Sequence, residues 1–248
     1  MRRSLVALVC LALLAGCGGS ADKPQLTVSA AASLKNAIND YARQFDAATV
    51  RASFAGSDEL AAQIRQGVKP DVFASANTKL PEELYKAGLV EKPAVFAANQ
   101  LVLAVPAGSE ITSLNDLAQP KTTIAMGSES VPVGAYTRKV LAGLPAAQRK
   151  AILTNVRSNE PDVAGVVGKV ATGAVDAGFV YITDVKAAEG KLKAIELPAQ
   201  LKPTVAYGVA VVKGAKHPGQ ARAFVNGLLD GAGREALDRA GFLPPPGT

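Results

Sequence analysis

Tryptophan is absent from this chain, histidine occurs once and cysteine twice. Each scarcity removes a class of function. A single histidine and no spare cysteine leave no ligand set for a catalytic metal. A serine hydrolase needs a base beside its nucleophile. His217 stands alone before Pro218 and reads as a solvated turn residue, and no G-x-S-x-G elbow occurs. A P-loop is also missing, so ATP hydrolysis falls to some other chain. Cys10 lies within an N-terminal apolar run and Cys17 follows shortly after it, which leaves nothing for a disulfide in the rest of the chain. Lysine and arginine are scattered, with no run of five or six, and aromatics make up 5% of residues. Nucleic-acid binding wants a clustered basic stripe with stacking rings.

What remains is abundant apolar material. Of 248 residues 48% are hydrophobic, enough for one large core or two small ones. The first residues stand apart from that core. Arg2 and Arg3 precede a short apolar run from Leu5 to Leu14 and then small residues, the form of an export signal rather than a membrane span. "LAGC" at Leu14–Cys17 resembles a bacterial lipobox, which implies cleavage before Cys17 and a lipid on its sulfur. Residues 1–17 are then a lipoprotein signal peptide and 18–24 a flexible tether. Losing Arg2 and Arg3 lowers the formal net charge from +6 to +4.

Beyond the tether, β and α signals alternate. "LTVSA", "VRASFA", "DVFASA", "TTIAM", "NVRS" and "VDAGFVY" read as strands. Helices are predicted from Leu34 to Phe45, at "DELAAQIRQG", "PEELYKAG", "GAYTRKVLAGL" and "DVAGVVGKVATG", from Pro218 onward, and at "GREALDRAG". Such alternation argues for parallel βαβ units. Two long extended stretches, "VFAANQLVLAVPAG" and "KPTVAYGVAVVKG", interrupt it. They predict an α/β architecture of two lobes joined by two crossing strands. Residues 25–100 and 206–248 form the first lobe, residues 101–205 the second, and a ligand cleft lies between them. No internal repeat is visible in the sequence.

Four helix starts share one device. Ser33 stands where a cap belongs, and Ser57 opens the next helix after a strand. Val133 and Gly134 follow Pro132, and Val163 opens a valine-rich helix. The first amides of a helix lack internal partners and sit at the positive end of its dipole, so they hold anions readily. Ser33 and Ser57 are either plain caps or anion ligands. Tyr181, at the end of a hydrophobic strand, is either packing or a hydroxyl donor to the cleft.

Together, "LTVSAAASLKNAIND", "FAGSDELAAQIRQGVKPDVFASA", "NQLVLAVP", "VPVGAYTRKVL", "AGFVYITDV" and "YGVAVVKGAKHPGQARAFVNGLL" resemble the molybdate-binding component of bacterial ABC importers. The resemblance covers nearly all of the chain after the leader. It implies the periplasmic binding protein fold and a function in capturing molybdate or tungstate, with sulfate as the alternative anion. It implies that Ser33 and Ser57 supply hydroxyls and amides, Val133 and Val163 amides, and Tyr181 its phenol. Molybdenum is then held only through its oxyanion, with no cofactor. The implied partners are a membrane permease with its separate ATPase, and a membrane through the lipid on Cys17. The protein is then an exported monomer, periplasmic or at the cell surface, and not an enzyme. Two positions depart from the family pattern. Val133 replaces a more usual alanine, and Asp58 places a carboxylate beside Ser57. An amino-acid binder would instead need Arg138 and Asp58 in the cleft.

Overall fold

The computed structural model describes residues 23–247. The leader, Cys17 and most of the tether lie outside the described residues. Ten strands are β1 (Gln25–Ala31), β2 (Thr49–Ala55), β3 (Val72–Ser75), β4 (Ala94–Asn99), β5 (Leu101–Pro106), β6 (Ile124–Gly127), β7 (Val156–Glu160), β8 (Ala177–Tyr181), β9 (Leu192–Glu196) and β10 (Val205–Val211). The helices are α1 (Lys35–Gln44), α2 (Ser57–Arg65), α3 (Lys79–Lys86), α4 (Pro132–Ala142), α5 (Ala146–Thr154), α6 (Val163–Ala171), α7 (Ile182–Ala187), α8 (Pro218–Leu229) and α9 (Ala232–Ala240).

The strands form two sheets, in the orders β2-β1-β3-β10-β4 and β7-β6-β8-β5-β9. In each, three parallel strands are followed by one that runs antiparallel: β10 in the first and β5 in the second. The central parallel strands read as continuous apolar runs because helices cover both faces. The molecule therefore has the two-lobed fold of periplasmic binding proteins.

The sheets are built alike, although the sequence shows no repeat. In the first, Asp71 Oδ2 accepts from the Thr27 amide and hydroxyl, both at 2.7 Å. In the second, Asp176 Oδ2 accepts from the Thr123 amide and hydroxyl, again both at 2.7 Å. Each aspartate ties the start of its sheet's third strand to the start of its first. Only this pair of residues and the apolar pattern need to match, so divergence elsewhere erases the repeat.

The two extended stretches resolve differently. The first is two strands, β4 and β5, one in each sheet, with Gln100 alone between them. The return from β9 to β10 passes through residues 197–204, which include a 3-10 turn at Ala199–Leu201. Behind this hinge region lies a ring cluster. Tyr207 meets Phe242 edge-on at 5.3 Å, Tyr181 at 5.9 Å and Phe96 at 6.2 Å. Each such pair contributes about 0.5–1.5 kcal/mol beyond area burial. Tyr181 belongs to the second sheet and Tyr207 to the first, so the core is continuous through the joint.

Candidate functional site

Strands β1, β2, β6, β7 and β8 all deliver their carboxyl ends to the gap between the sheets, where open α/β sheets bind ligands. Ser33, Ser57, Val133, Val163 and Tyr181 line one cavity there, drawn from both lobes. The cavity measures about 10 Å³ in this conformation, room for one small species.

Ser33 is not a cap. A 3-10 turn, Ala32–Leu34, intervenes between β1 and α1, and its N-cap is Ala31. The turn moves the start of α1 to Lys35 and leaves the Ser33 hydroxyl free to reach Tyr207, 2.9 Å away. Ser57 is the first residue of α2, with Gly56 as N-cap. Its Oγ accepts from the amide of Ala76 at 3.0 Å rather than capping its own helix.

Val133 lies inside α4, at its second position. A β-carbon on Gly134 would overlap the carbonyl oxygens of Gly127 and Ser128, so glycine lets this helix start press onto the end of β6. A β-carbon on Gly127 would meet Val133 Cγ1 at 2.6 Å. Glycine at 127 is thus what makes room for the branched side chain. Val163 opens α6, whose N-cap Asp162 accepts from the Gly165 amide at 2.9 Å. Asp162 also lines the cavity. The sequence reading missed it, although an aspartate before a valine-rich helix is a cap signal.

Tyr181 ends β8 and caps α7, a helix that was not predicted. The available signal was Asp184, three residues on, whose Oδ2 accepts from the Tyr181 amide at 2.9 Å. The Tyr181 side chain is buried, and its hydroxyl has no hydrogen-bond partner among the described residues. Burial pushes this phenol well above its ordinary range, with Tyr207, Tyr136 and Asp184 adding to the effect. It therefore stays a donor. Burial also raises Asp184 to about 7, against the Tyr181 amide that favours its charged form and with Asp162 adding to the rise.

Among the described residues no lysine or arginine lines the cavity. Arg138 is spent on the carbonyls of Gly127 and Gly134, at 2.9 and 3.2 Å. Asp58 is not in the lining either. It occupies the first turn of α2, where the dipole favours a carboxylate. The amino-acid alternative loses both of its residues. His217 caps α8, and its amide donates to Asp71 Oδ1 at 2.9 Å, away from the cavity. A larger hollow of about 560 Å³ opens between α1, α7 and α9. There Arg239 pairs with Asp40, and Lys186 donates to the carbonyl of Arg239. Among the described residues no cluster suits a metal ion, and no helix is long and apolar enough to cross a membrane.

Comparison with known proteins bears on this geometry. The family model for bacterial extracellular solute-binding proteins matches residues 26–243. The chain belongs to that family. Among its curated relatives, the molybdate-binding protein ModA of Mycobacterium tuberculosis is 36% identical, over 97% of each chain. Two solved structures speak to the fold of this solute-binding protein. The periplasmic molybdate-binding protein of Azotobacter vinelandii matches with a TM-score of 0.79 at 24% identity, over 89% of this chain and 99% of that one. The sulfate-binding protein SubI of Mycobacterium tuberculosis matches with 0.78 at 18%, over 89% and 87%.

Proposed function

We propose that this solute-binding protein captures molybdate, and tungstate by the same chemistry, and hands it to the permease of an ABC importer whose ATPase is a separate chain. One observation carries the reading. Residues with hydroxyls and residues at helix starts from both lobes line a cavity that, among the described residues, has no lysine or arginine and holds one buried phenol without a hydrogen-bond partner. In this reading Ser33 and Ser57 donate through hydroxyl and amide, Val133 and Val163 through their amides, and Tyr181 through its phenol. The protein acts as a monomer, without a cofactor and without catalysis. It is exported and held at a membrane through a lipid on Cys17, a residue outside the described range.

The chemistry follows from what such donors accept. A dianion without a proton satisfies them all. Hydrogen phosphate would point its O–H at a donor, and an unpaired buried polar group costs about 1–3 kcal/mol; the carboxylate in the lining, Asp162, is engaged by the Gly165 amide and repels a dianion. Sulfate passes that test, and its smaller radius leaves the far donors out of reach. Charge-assisted bonds of about 1.5–3 kcal/mol each, less the cost of association, support affinity between about micromolar and nanomolar. The lobes part to admit the ion and close on it.

Calorimetric titration with molybdate, tungstate, sulfate and phosphate tests the proposal. The first two bind, and sulfate and phosphate bind at least about a hundredfold more weakly, a gap of about 2.7 kcal/mol. Equal affinity for sulfate makes this a sulfate carrier, and no binding by any of the four ends the reading.

A further inference from the structure

Behind Ser33 runs a buried chain of polar groups that the resemblance did not assign. Ser33 Oγ lies 2.9 Å from Tyr207 Oη. Asn99 Nδ2 donates to Tyr207 Oη at 3.3 Å and to Thr183 Oγ1 at 2.9 Å. Asn99 Oδ1 accepts from the Gln100 amide at 2.9 Å. Asn99, Thr183 and Tyr207 are all buried. The chain joins β4, β10 and α7 to the turn that carries Ser33, at the place where the strand crosses between the lobes.

The directions of the Asn99 and Tyr207 protons follow from their partners. A backbone amide can only donate, so the side-chain oxygen of Asn99 must face Gln100, and its NH₂ must face Thr183 and Tyr207. Both hydrogens of that NH₂ are then engaged. Tyr207 Oη accepts one of them. Its own proton has a single acceptor among its hydrogen-bond partners, Ser33 Oγ. Turning the bond around would strand the Tyr207 proton in a buried site, at the cost of an unmade hydrogen bond. Tyr207 therefore donates, Ser33 accepts, and the Ser33 proton is free for an acceptor in the inter-lobe cavity, one of the two hollows that Ser33 lines. Ser57 is set the same way by a different donor, since its Oγ accepts from the Ala76 amide.

We propose that Asn99 and Tyr207 are positioning residues that lock the Ser33 hydroxyl as a donor into the cavity, so that the site selects oxyanions carrying no proton. The inference rests on the oxyanion reading above and deepens it. Selectivity against a protonated anion is then a property of the hinge region and not of the lining alone. A free serine hydroxyl can turn and accept a proton from hydrogen phosphate or hydrogen arsenate. A serine that already accepts from Tyr207 keeps a second lone pair, but spending it on an anion's O–H would leave the serine's own proton unpaired.

Selenate and hydrogen arsenate suit the test, because they are dianions of similar size that differ by one proton. In mildly alkaline buffer, each is titrated in competition with molybdate against the intact protein and against Tyr207→Phe. The substitution keeps the ring packing on Phe96, Tyr181 and Phe242 and removes only the hydroxyl. The expected result is a loss of about tenfold or more in molybdate affinity, with hydrogen arsenate gaining on selenate by about threefold or more. A merely structural role weakens all anions together and leaves that ratio alone. Asn99→Asp provides a second variant. Its carboxylate draws the Tyr207 proton away from Ser33, and the added charge weakens both dianions alike, so the ratio again isolates proton direction. An unchanged ratio in both variants overturns the inference, as does failure of either anion to displace molybdate from them. Absence of molybdate binding by the intact protein overturns the oxyanion reading itself.

Discussion

Gly56 and Pro161 face each other across the cleft with no room for a β-carbon between them. A side chain on Gly56 would run into the carbonyl oxygen of Pro161, approach Val131 Cγ2 at 3.4 Å, and also crowd Asp58 Oδ1 of its own lobe at 2.8 Å. Gly56 caps α2 in the first lobe, while Pro161 and Val131 precede α6 and α4 in the second. The backbone of Gly56 has φ −59°, which any residue adopts, so its glycine serves the approach of the lobes rather than a turn. Gly56→Ala should hold the cleft ajar. The expected outcome is a loss of about tenfold or more in molybdate affinity, together with small-angle scattering that stays expanded when the ion is present. Full compaction with unchanged affinity would show that the contact yields.

Tyr181 presents a trade between stability and binding. In the closed cavity its hydroxyl is buried without a hydrogen-bond partner among the described residues. Removing an unsatisfied buried group recovers about 1–3 kcal/mol of desolvation. Tyr181→Phe should therefore raise the melting temperature of the free protein while weakening molybdate by about tenfold or more. A lowered melting temperature would mean that the hydroxyl has a partner inside the fold.

Asp162 is the one charged group in the cavity lining, and its sign is wrong for an anion. Its cap to Gly165 explains its presence. Asparagine caps a helix about as well as aspartate. Asp162→Asn should preserve the melting temperature and tighten molybdate by about three- to tenfold at low ionic strength, with the gain shrinking as salt is added. Weaker binding on this change would show that the carboxylate contributes to the site through something other than its cap.

Asp184 makes stability depend on pH in an uncommon direction for a carboxylate. Burial raises it to about 7 from the ordinary 3.8. Between these values the folded state binds more protons than the unfolded one, so stability falls as pH rises through the window. Below the window the group is neutral in both states, and above it the fold holds a partly buried charge. Asp184→Asn keeps an acceptor for the Tyr181 amide and removes the titration. Chemical denaturation should show the intact protein losing stability between about pH 4 and pH 7 while the variant changes less, and the variant should be the more stable at the alkaline end. The dianion adds repulsion to Asp184, so binding near neutral pH should take up protons. Calorimetry in buffers of different ionisation enthalpy reads that uptake.

Much of this protein was legible along the chain because the relevant signals are local. Strand ends followed by helix starts show as a change of apolar period within a few residues. That placed Ser57, Val163 and Tyr181 at the carboxyl ends of strands β2, β7 and β8, and it marked the alternation that makes each lobe. It failed where local cues were weak or ambiguous. The 3-10 turn before α1 mimicked a helix start and made Ser33 read as a cap. The short α7 was hidden behind the end of β8.

The sequence by itself determined most of the elements and the two-lobed class, because these follow from periods of two and 3.6 residues. Only the tertiary structure decided which groups meet. Ser33 and Tyr207 lie 174 residues apart, and Asn99 and Thr183 lie 84 apart. No periodicity records such a contact. Direction in a hydrogen-bond chain, the burial that raises Asp184 and the close approach of Gly56 to Pro161 all arise when separate segments exclude water from one another, and that happens only after the chain has closed on itself.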